Sequence, residues 1–167
     1  MNNLERTHVP LGYTRTLIGK CVIKTLVDSG NLFGTICSEK LAKQLKLSIT
    51  PCSLKAGTAV AGQQVIVLGR AKPFFIQLEN IKESLLISPI VVQNLSHPLN
   101  LGEHFLRQNK AKLTFNKGTV KLGIKDSETL LCDKNIPLMR NSDDRRFSAV
   151  MLADKAARQQ EIEKEYF

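Results

Sequence analysis

The feature that most constrains this chain is an apolar run that ends in a carboxylate, a hydroxyl and a glycine. Residues 22–27 are Val-Ile-Lys-Thr-Leu-Val, and Asp28, Ser29 and Gly30 follow directly. Aliphatic and β-branched residues, interrupted only by Lys24, predict a largely buried strand. This strand delivers Asp28 to the edge of a core, where a carboxylate costs desolvation free energy unless a partner compensates for it. Asp28 is therefore either a turn residue or a working group.

The Asp-Ser-Gly tripeptide does not decide between these roles by itself, because its residue types are the commonest in turns and usually just end a strand. Two downstream elements supply context. Residues 52–64 are rich in small residues, and glycine predicts a hairpin tip near Ala61 and Gly62. Such a tip belongs either to an ordinary pair of strands or to a mobile flap. Residues 99–102, Leu-Asn-Leu-Gly, predict an apolar strand that runs into a second important glycine.

The remaining pattern predicts many short strands and one or two short helices. Ser38 is a plausible N-cap for a helix over 38–47, and a second short helix is expected after Gly102. Pro89 interrupts an apolar run and favours an edge strand or a bulge there. Strands are expected at 14–20, 35–36, 65–70, 74–78 and 85–92, with a terminal hairpin formed by 111–115 and 118–122.

Charge divides the chain at about residue 125. The chain has 167 residues and a net charge of +9, with 17 Lys and Arg against 6 Asp and Glu in residues 1–125 and 7 against 9 in residues 126–167. We expect a folded domain over 1–125 and a C-terminal linker or helical extension over 126–167, irregular at 126–141 and helical at 143–166. The extension fits a linker best, although a dimer-supporting helix remains an alternative.

Cysteine and histidine spacing predicts neither a metal site nor a cofactor. The four cysteines lie far apart, without a C-x-x-C pair, and the three histidines form no cluster with them. Scattered thiols are typical of reduced intracellular proteins. No apolar run approaches the roughly 18 to 20 residues that a membrane span needs. Residues 1–16 lack an apolar signal core, so we expect a cytoplasmic protein without a membrane partner.

The positive charge raises the question of nucleic-acid binding. The lysines are scattered over many predicted elements, without interleaved aromatic residues or a recognised DNA-binding pattern. This distribution favours a solvated basic surface over a specific nucleic-acid site.

Taken in order, residues 26–30 (Leu-Val-Asp-Ser-Gly), the glycine-tipped hairpin and residues 99–106 (Leu-Asn-Leu-Gly-Glu-His-Phe-Leu) resemble a retropepsin. Retropepsins are the aspartic protease domains of retroviruses and LTR retrotransposons, and Ty3/gypsy-like elements are the most similar. The resemblance covers about residues 12–125. It implies an all-β, closed acid-protease fold with one or two short helices and a flap hairpin. It also implies half of an enzyme, because one Asp-Ser-Gly is present and a homodimer must supply the second.

The resemblance further implies a mechanism and a site. Asp28 from each subunit would share one proton, and the pair would activate water by general acid/base catalysis to cleave a polypeptide such as a Gag-Pol-like polyprotein inside virus-like particles. Ser29 would hydrogen-bond across the dimer, and the backbone of Gly30 would meet the substrate. Val27, Leu32 and Val65 would line pockets for hydrophobic residues around the cleaved bond. The substrate-binding and flap positions implied are Asn31, Leu32, Ala59, Val60, Ala61, Gly62 and Gln63.

Three positions depart from the family pattern. Asn31 stands where a small residue, often Ala, follows the triad; Glu103 stands where retroviral members carry Arg; and His104 stands where many carry Asp or Asn. We expect His104 to be a surface helix residue. A second hypothesis is a catalytically weak or silent dimerisation or binding module on the same fold, with nucleic acid on its basic surface.

Overall fold

The computed structural model describes residues 11–31, 34–52, 59–60, 63–64 and 66–133. Within these ranges the chain forms mostly β-strands, with two short helices. The strands are β1 (Gly12–Ile18), β2 (Cys21–Val27), β3 (Thr35–Ser38), β4 (Ile49–Thr50), β5 (Ala59–Val60), β6 (Gln63–Gln64), β7 (Ile66–Ala71), β8 (Phe74–Leu78), β9 (Leu85–Ile87), β10 (Ile90–Gln93), β11 (Leu99–Leu101), β12 (Lys112–Asn116), β13 (Thr119–Ile124) and β14 (Ser127–Leu131). The helices are α1 (Glu39–Gln44) and α2 (Glu103–Gln108).

The largest sheet has nine strands in the order β4-β7-β10-β3-β11-β2-β1-β8-β9. β1 and β2, which correspond to the strands expected at 14–20 and 22–27, form an antiparallel hairpin. β11 then lies between β2 and β3, parallel to the first and antiparallel to the second. This insertion brings the end of β2, where Asp28 begins, beside the end of β11.

The two faces of this sheet pack differently. One face contributes Val27, Leu99 and Leu101 to the main hydrophobic core, together with Phe105 and Leu106 of α2. The opposite face carries a smaller cluster of Ile36, Ile90 and Val92. Since side chains alternate across a strand, neighbouring residues of β2, β11 and β3 point to opposite faces. The apolar run before Asp28 is therefore buried on both sides.

Local chemistry explains where both helices begin. The Ser38 hydroxyl accepts a 3.1 Å hydrogen bond from the Leu41 amide, so the predicted N-cap of α1 is confirmed. α1 ends at Gln44, earlier than predicted, and Lys46 adopts a left-handed conformation with φ of 55°. α2 follows Gly102, as predicted.

Pro89 separates two strands that have different partners. Among the described strands, β9 pairs only with β8 at the edge of the sheet, whereas β10 pairs with β3 and β7. A register shift lies between Val91 and Val92. The prediction of an edge or a bulge at this run is confirmed, and both occur.

The expected irregular structure from residue 126 onward is wrong for its first part. β14 pairs with β13, and the resulting three-stranded sheet has the order β12-β13-β14. Tyr13 and Cys132 exchange backbone hydrogen bonds of 2.7 and 2.8 Å, which connect this sheet to β1. Regular pairing thus continues past residue 125. The division into 1–125 and 126–167 stays a prediction, and the helix expected at 143–166 lies outside the described residues.

Arg15 and Glu79 form an ion pair inside the fold, with 2.7 Å between Nη1 and Oε2 and with side chains 9% and 11% exposed. The pair connects β1 with the end of β8.

In the part of the chain that the structure describes, no helix is long and apolar enough to cross a membrane.

Candidate active site

Asp28 lies at the junction of β2 and β11 and is 2% exposed. Its amide donates a 3.0 Å hydrogen bond to the Leu101 carbonyl, which continues the β2–β11 pairing by one residue. Its Oδ1 accepts a 3.0 Å hydrogen bond from the Gly30 amide, and its carbonyl accepts one of 3.1 Å from the Asn31 amide. The carboxylate is therefore held in one orientation by the turn that follows it.

Gly102 lets the Asp28 loop approach β11 and α2 closely. Its amide donates to the Gly34 carbonyl over 2.5 Å. A Cβ atom at this position would lie 2.5 Å from the Asn31 carbonyl oxygen and 2.6 Å from the Gly34 carbonyl oxygen. Such distances are too short for any side chain, so the close approach requires glycine.

Asn31 connects the loop to both downstream elements. Its Nδ2 donates a 2.9 Å hydrogen bond to Asn100 Oδ1, and its carbonyl accepts a 2.7 Å hydrogen bond from the Glu103 amide. Asn31 and Asn100 are 1% and 0% exposed. Asn31 was predicted as a substrate contact; it lies beside Asp28 but also forms this buried amide pair. Asn100 was not predicted as a site residue, because the sequence does not indicate which side chain a lone polar residue in an apolar run will contact.

Strand register places Asn100 on the same face as the carboxylate. Asn100 is the direct partner of Leu26 in β2 and of Ile36 in β3. Asp28 follows Leu26 by two residues and keeps the strand pairing, so alternation puts it on the same face of the sheet. This face, which lies opposite the main core, is the candidate substrate face.

Tyr13, His97 and Lys24 form a cluster at one end of this face, and the sequence did not reveal it. The Tyr13 hydroxyl is 3.3 Å from His97 Nδ1, and the two rings meet edge to face with centroids 5.7 Å apart. Lys24 Nζ lies 4.7 Å from the Tyr13 ring centroid. Burial lowers the pKa of His97, the Asp28 carboxylate opposes that effect, and Lys24 adds to it. His97 is distant from Asp28 in sequence, so no motif spacing indicates this coupling.

The other predicted site residues lie in several environments. Ser29 is exposed and Gly30 is half-buried. Ala59 and Val60 pair with Gln64 and Gln63. Leu32, Ala61, Gly62 and the pocket residue Val65 lie outside the described residues.

Glu103 and His104 are two residues of α2 that differ from the retropepsin pattern. Glu103 forms an ion pair with Arg107 one helical turn away, at 2.7 Å, so its partner lies within the same helix. His104 is exposed, as predicted for a surface helix residue.

Two surface cavities lie away from Asp28. The larger, about 910 Å³, lies among Glu83–Leu86, Gln108–Lys110 and the β13–β14 turn, and the smaller, about 380 Å³, lies beside Gly34 and His104. Asp28 lines neither of them. Among the residues whose placement is described, no group of three or more His, Cys, Asp and Glu residues could hold a metal ion.

Comparison with solved structures gives the fold. The chain is similar to the retroviral protease-like domain of Ddi1 from Leishmania major, with a TM-score of 0.57 and 16% identity over 77% of this chain and 99% of that one. A retropepsin-like aspartic protease from Rickettsia conorii aligns with a TM-score of 0.43 and 14% identity over 74% of this chain and 92% of that one. No protein-family model and no curated protein sequence matches the chain.

The fold of this chain is therefore retropepsin-like: a mostly β structure with two short helices in its described part. At 16% identity the first likeness establishes the fold alone. The chemistry has to be argued from Asp28 and its surroundings.

Proposed function

We propose that this protein is an aspartic endopeptidase that acts as a homodimer. The observation that carries the proposal is the placement of Asp28, which is 2% exposed and whose carboxylate is held by the Gly30 amide where β2 and β11 end side by side. Burying a carboxylate at a strand end costs free energy, and a catalytic role is a reason for a protein to keep it there. The retropepsin-like fold supports this role by analogy, whereas the site itself carries the chemistry.

The chemistry follows from bringing two copies of Asp28 together. Two carboxyls within hydrogen-bonding distance share one proton, because both cannot ionise cheaply. The ionised carboxyl takes a proton from water as the water attacks the peptide carbonyl, and the protonated carboxyl donates to the carbonyl oxygen. The rate should then have a bell-shaped pH profile on the acid side of neutral.

A homodimer is the arrangement that supplies the second carboxylate. One Asp-Ser-Gly is present in the sequence, and a two-fold axis through the site would pair Asp28 with its copy. Ser29, exposed at this point, is suited to hydrogen-bond across the axis. The hairpin of β5 and β6 would cover an extended peptide bound mainly through its backbone.

The substrate we propose is a polyprotein of the Gag-Pol type from a Ty3/gypsy-like retroelement, processed in the cytoplasm within virus-like particles. Support for this finer assignment comes from the order of the sequence motifs.

Dilution and subunit mixing test the dimeric mechanism. Cleavage of a pooled peptide library should rise faster than linearly with enzyme concentration at low concentration, because monomers are inactive. Adding excess Asp28→Asn protein to a fixed amount of wild type should lower the rate, since mixed dimers lack one carboxyl. Cleavage that stays proportional to enzyme concentration and is unaffected by the variant would contradict the dimer.

A binding module without proteolytic activity is the second candidate. The net charge of +9 favours it, because a basic surface attracts nucleic acid. Tight, strongly salt-dependent binding to nucleic acid by a protein that dimerises but cleaves no peptide would support this candidate.

A further inference from the structure

Asn100 has an unused hydrogen-bond donor on the face of the sheet that carries Asp28. Its side chain is 0% exposed, and its Nδ2 atom has no hydrogen-bond partner among the residues that the structure describes. Buried amide groups are nearly always paired, since leaving a donor unsatisfied destabilises the fold. An unpaired amide nitrogen on the same face as a candidate catalytic carboxylate therefore points to a partner that arrives with the substrate.

The Asn31 side chain fixes which way the Asn100 amide faces. Asn31 Nδ2 lies 2.9 Å from Asn100 Oδ1 and 3.5 Å from the Gly34 carbonyl oxygen. The Gly34 carbonyl can only accept, so the Asn31 atom that faces it is the nitrogen, and the Asn100 atom that faces this nitrogen must be the oxygen. The Asn100 nitrogen consequently points away from Asn31 and keeps its donors.

Two apolar residues and one carboxylate share this face of the sheet with the donor. Leu26 and Ile36 are the cross-strand neighbours of Asn100, and both are buried. Asp28 lies on the same face, one alternation beyond Leu26. Asp28 and Asn100 are 2% and 0% exposed, so a substrate can contact either side chain only where its binding uncovers this face.

We propose that Asn100 is a specificity-determining residue that donates a hydrogen bond to an uncharged acceptor on the substrate side chain beside the cleaved bond. The inference rests on the proposed protease function and narrows its substrate class. Glutamine fits best, because its stem packs on Leu26 and Ile36 and its carbonyl accepts from Asn100. Leucine leaves the donor unpaired, and glutamate brings a second carboxylate towards Asp28. In a homodimer the same preference holds on both sides of the cleaved bond.

The test compares peptides that differ only in Gln, Leu or Glu beside the cleaved bond. Wild type is compared with Asn100→Leu and with Asn31→Ala/Asn100→Leu, which removes both amides so that none is left unpaired. Gln44→Leu, an amide replacement at an exposed position of α1, is the matched control. Thermal unfolding of each variant verifies the fold.

Wild type and Gln44→Leu should cleave the Gln peptide about tenfold faster than the Leu peptide, measured as kcat/KM, and the double variant should reverse this order. A wild type that prefers Leu, or a preference that survives in the double variant, would overturn the inference while leaving the protease intact. If a bound water satisfies the Asn100 nitrogen, the Gln preference is absent in the same way, and the inference is overturned.

Peptide binding to Asp28→Asn separates the inference from the proposed function. This variant cannot turn over, so calorimetry with the same Gln and Leu peptides gives an answer even where wild type cleaves nothing. Tighter binding of the Gln peptide that is lost on adding Asn31→Ala/Asn100→Leu supports the role of Asn100. Equal binding, or no binding of either peptide, rejects it.

Discussion

The amide of Asp28 donates a 3.0 Å hydrogen bond to the carbonyl of Leu101, although 73 residues separate them in sequence. This contact extends the pairing of β2 with β11 by one residue. It places the carboxylate, the Asn31–Asn100 amide pair and Gly102 next to one another. The candidate site is therefore a product of parallel pairing between two distant strands.

Replacing Gly102 with alanine should damage both stability and activity. The new Cβ would come within 2.6 Å of two carbonyl oxygens, so the Asp28 loop and α2 must separate. We expect a loss of about 1–3 kcal/mol in the free energy of unfolding, as for other overpacked sites. Urea denaturation measures it, with Gly123→Ala as control because a Cβ there meets nothing closer than 3.6 Å. Equal effects of the two variants would contradict the close approach.

The buried ion pair of Arg15 and Glu79 should be sensitive to removal of one partner. Glu79→Gln removes the carboxylate charge that lies 2.7 Å from the Arg15 guanidinium, on a side chain that is 9% exposed. A loss of about 3 kcal/mol in unfolding free energy is expected. Glu83→Gln, which breaks the exposed pair with Lys125, should change stability very little. If Glu79→Gln proved as mild as this control, the ion pair would not contribute as described.

The Cys37 thiol should be inert in the folded protein. It is 0% exposed, and burial raises its pKa to about 12. Since thiolates react and thiols do not, iodoacetamide at about pH 8 should label the part-exposed Cys21 and Cys132 first and Cys37 only after unfolding. Mass spectrometry of the labelled peptides, with and without urea, gives the order. Labelling of Cys37 as fast as Cys132 would contradict its burial.

Stability should fall on mild acidification because of His97. Burial lowers the pKa of His97 in the folded chain, so as pH falls below about 6.5 the unfolded chain takes up this proton first. The free energy of unfolding therefore decreases as pH falls from about 6.5 towards the lower pKa that His97 has in the folded chain. Above about pH 6.5 this stability is retained. His97→Gln removes this contribution.

Urea denaturation of wild type and His97→Gln at about pH 7 and pH 5 measures the difference. Both proteins keep their other titrating groups, including Asp28 and Lys24, so the comparison isolates His97. The stability loss between the two pH values should be smaller in the variant. An equal or larger loss would show that His97 does not oppose folding when it is protonated.

Much of the fold could be predicted from local pattern. The two strands before Asp28, the N-cap at Ser38 and the break at Pro89 each depend on a few neighbouring residues, and each lies where it was expected. β14 was missed because Ser-Glu-Thr-Leu-Leu is short and half polar. It becomes a strand only when its backbone pairs with β13.

The candidate site could be predicted only where it depends on a contiguous motif. Asp28, Ser29 and Gly30 form one turn, so the sequence identifies them together. Asn100 could not be assigned, because its contact with Asn31 spans 69 residues and depends on strand register. His97 was missed for the same reason, since its partner Tyr13 lies 84 residues away in the sequence.

The measurement that tests the central claim most directly is peptide cleavage by wild type, Asp28→Asn and Asp126→Asn. Asp126 is exposed at a turn, so its variant controls for loss of a carboxylate. A pooled library at about pH 5 and about pH 7 covers the expected acid optimum, and a pepstatin arm tests the mechanistic class. We predict that wild type and Asp126→Asn cleave the same peptides, that pepstatin blocks both, and that Asp28→Asn stays folded but cleaves none. Cleavage that persists in Asp28→Asn would contradict the catalytic role of Asp28.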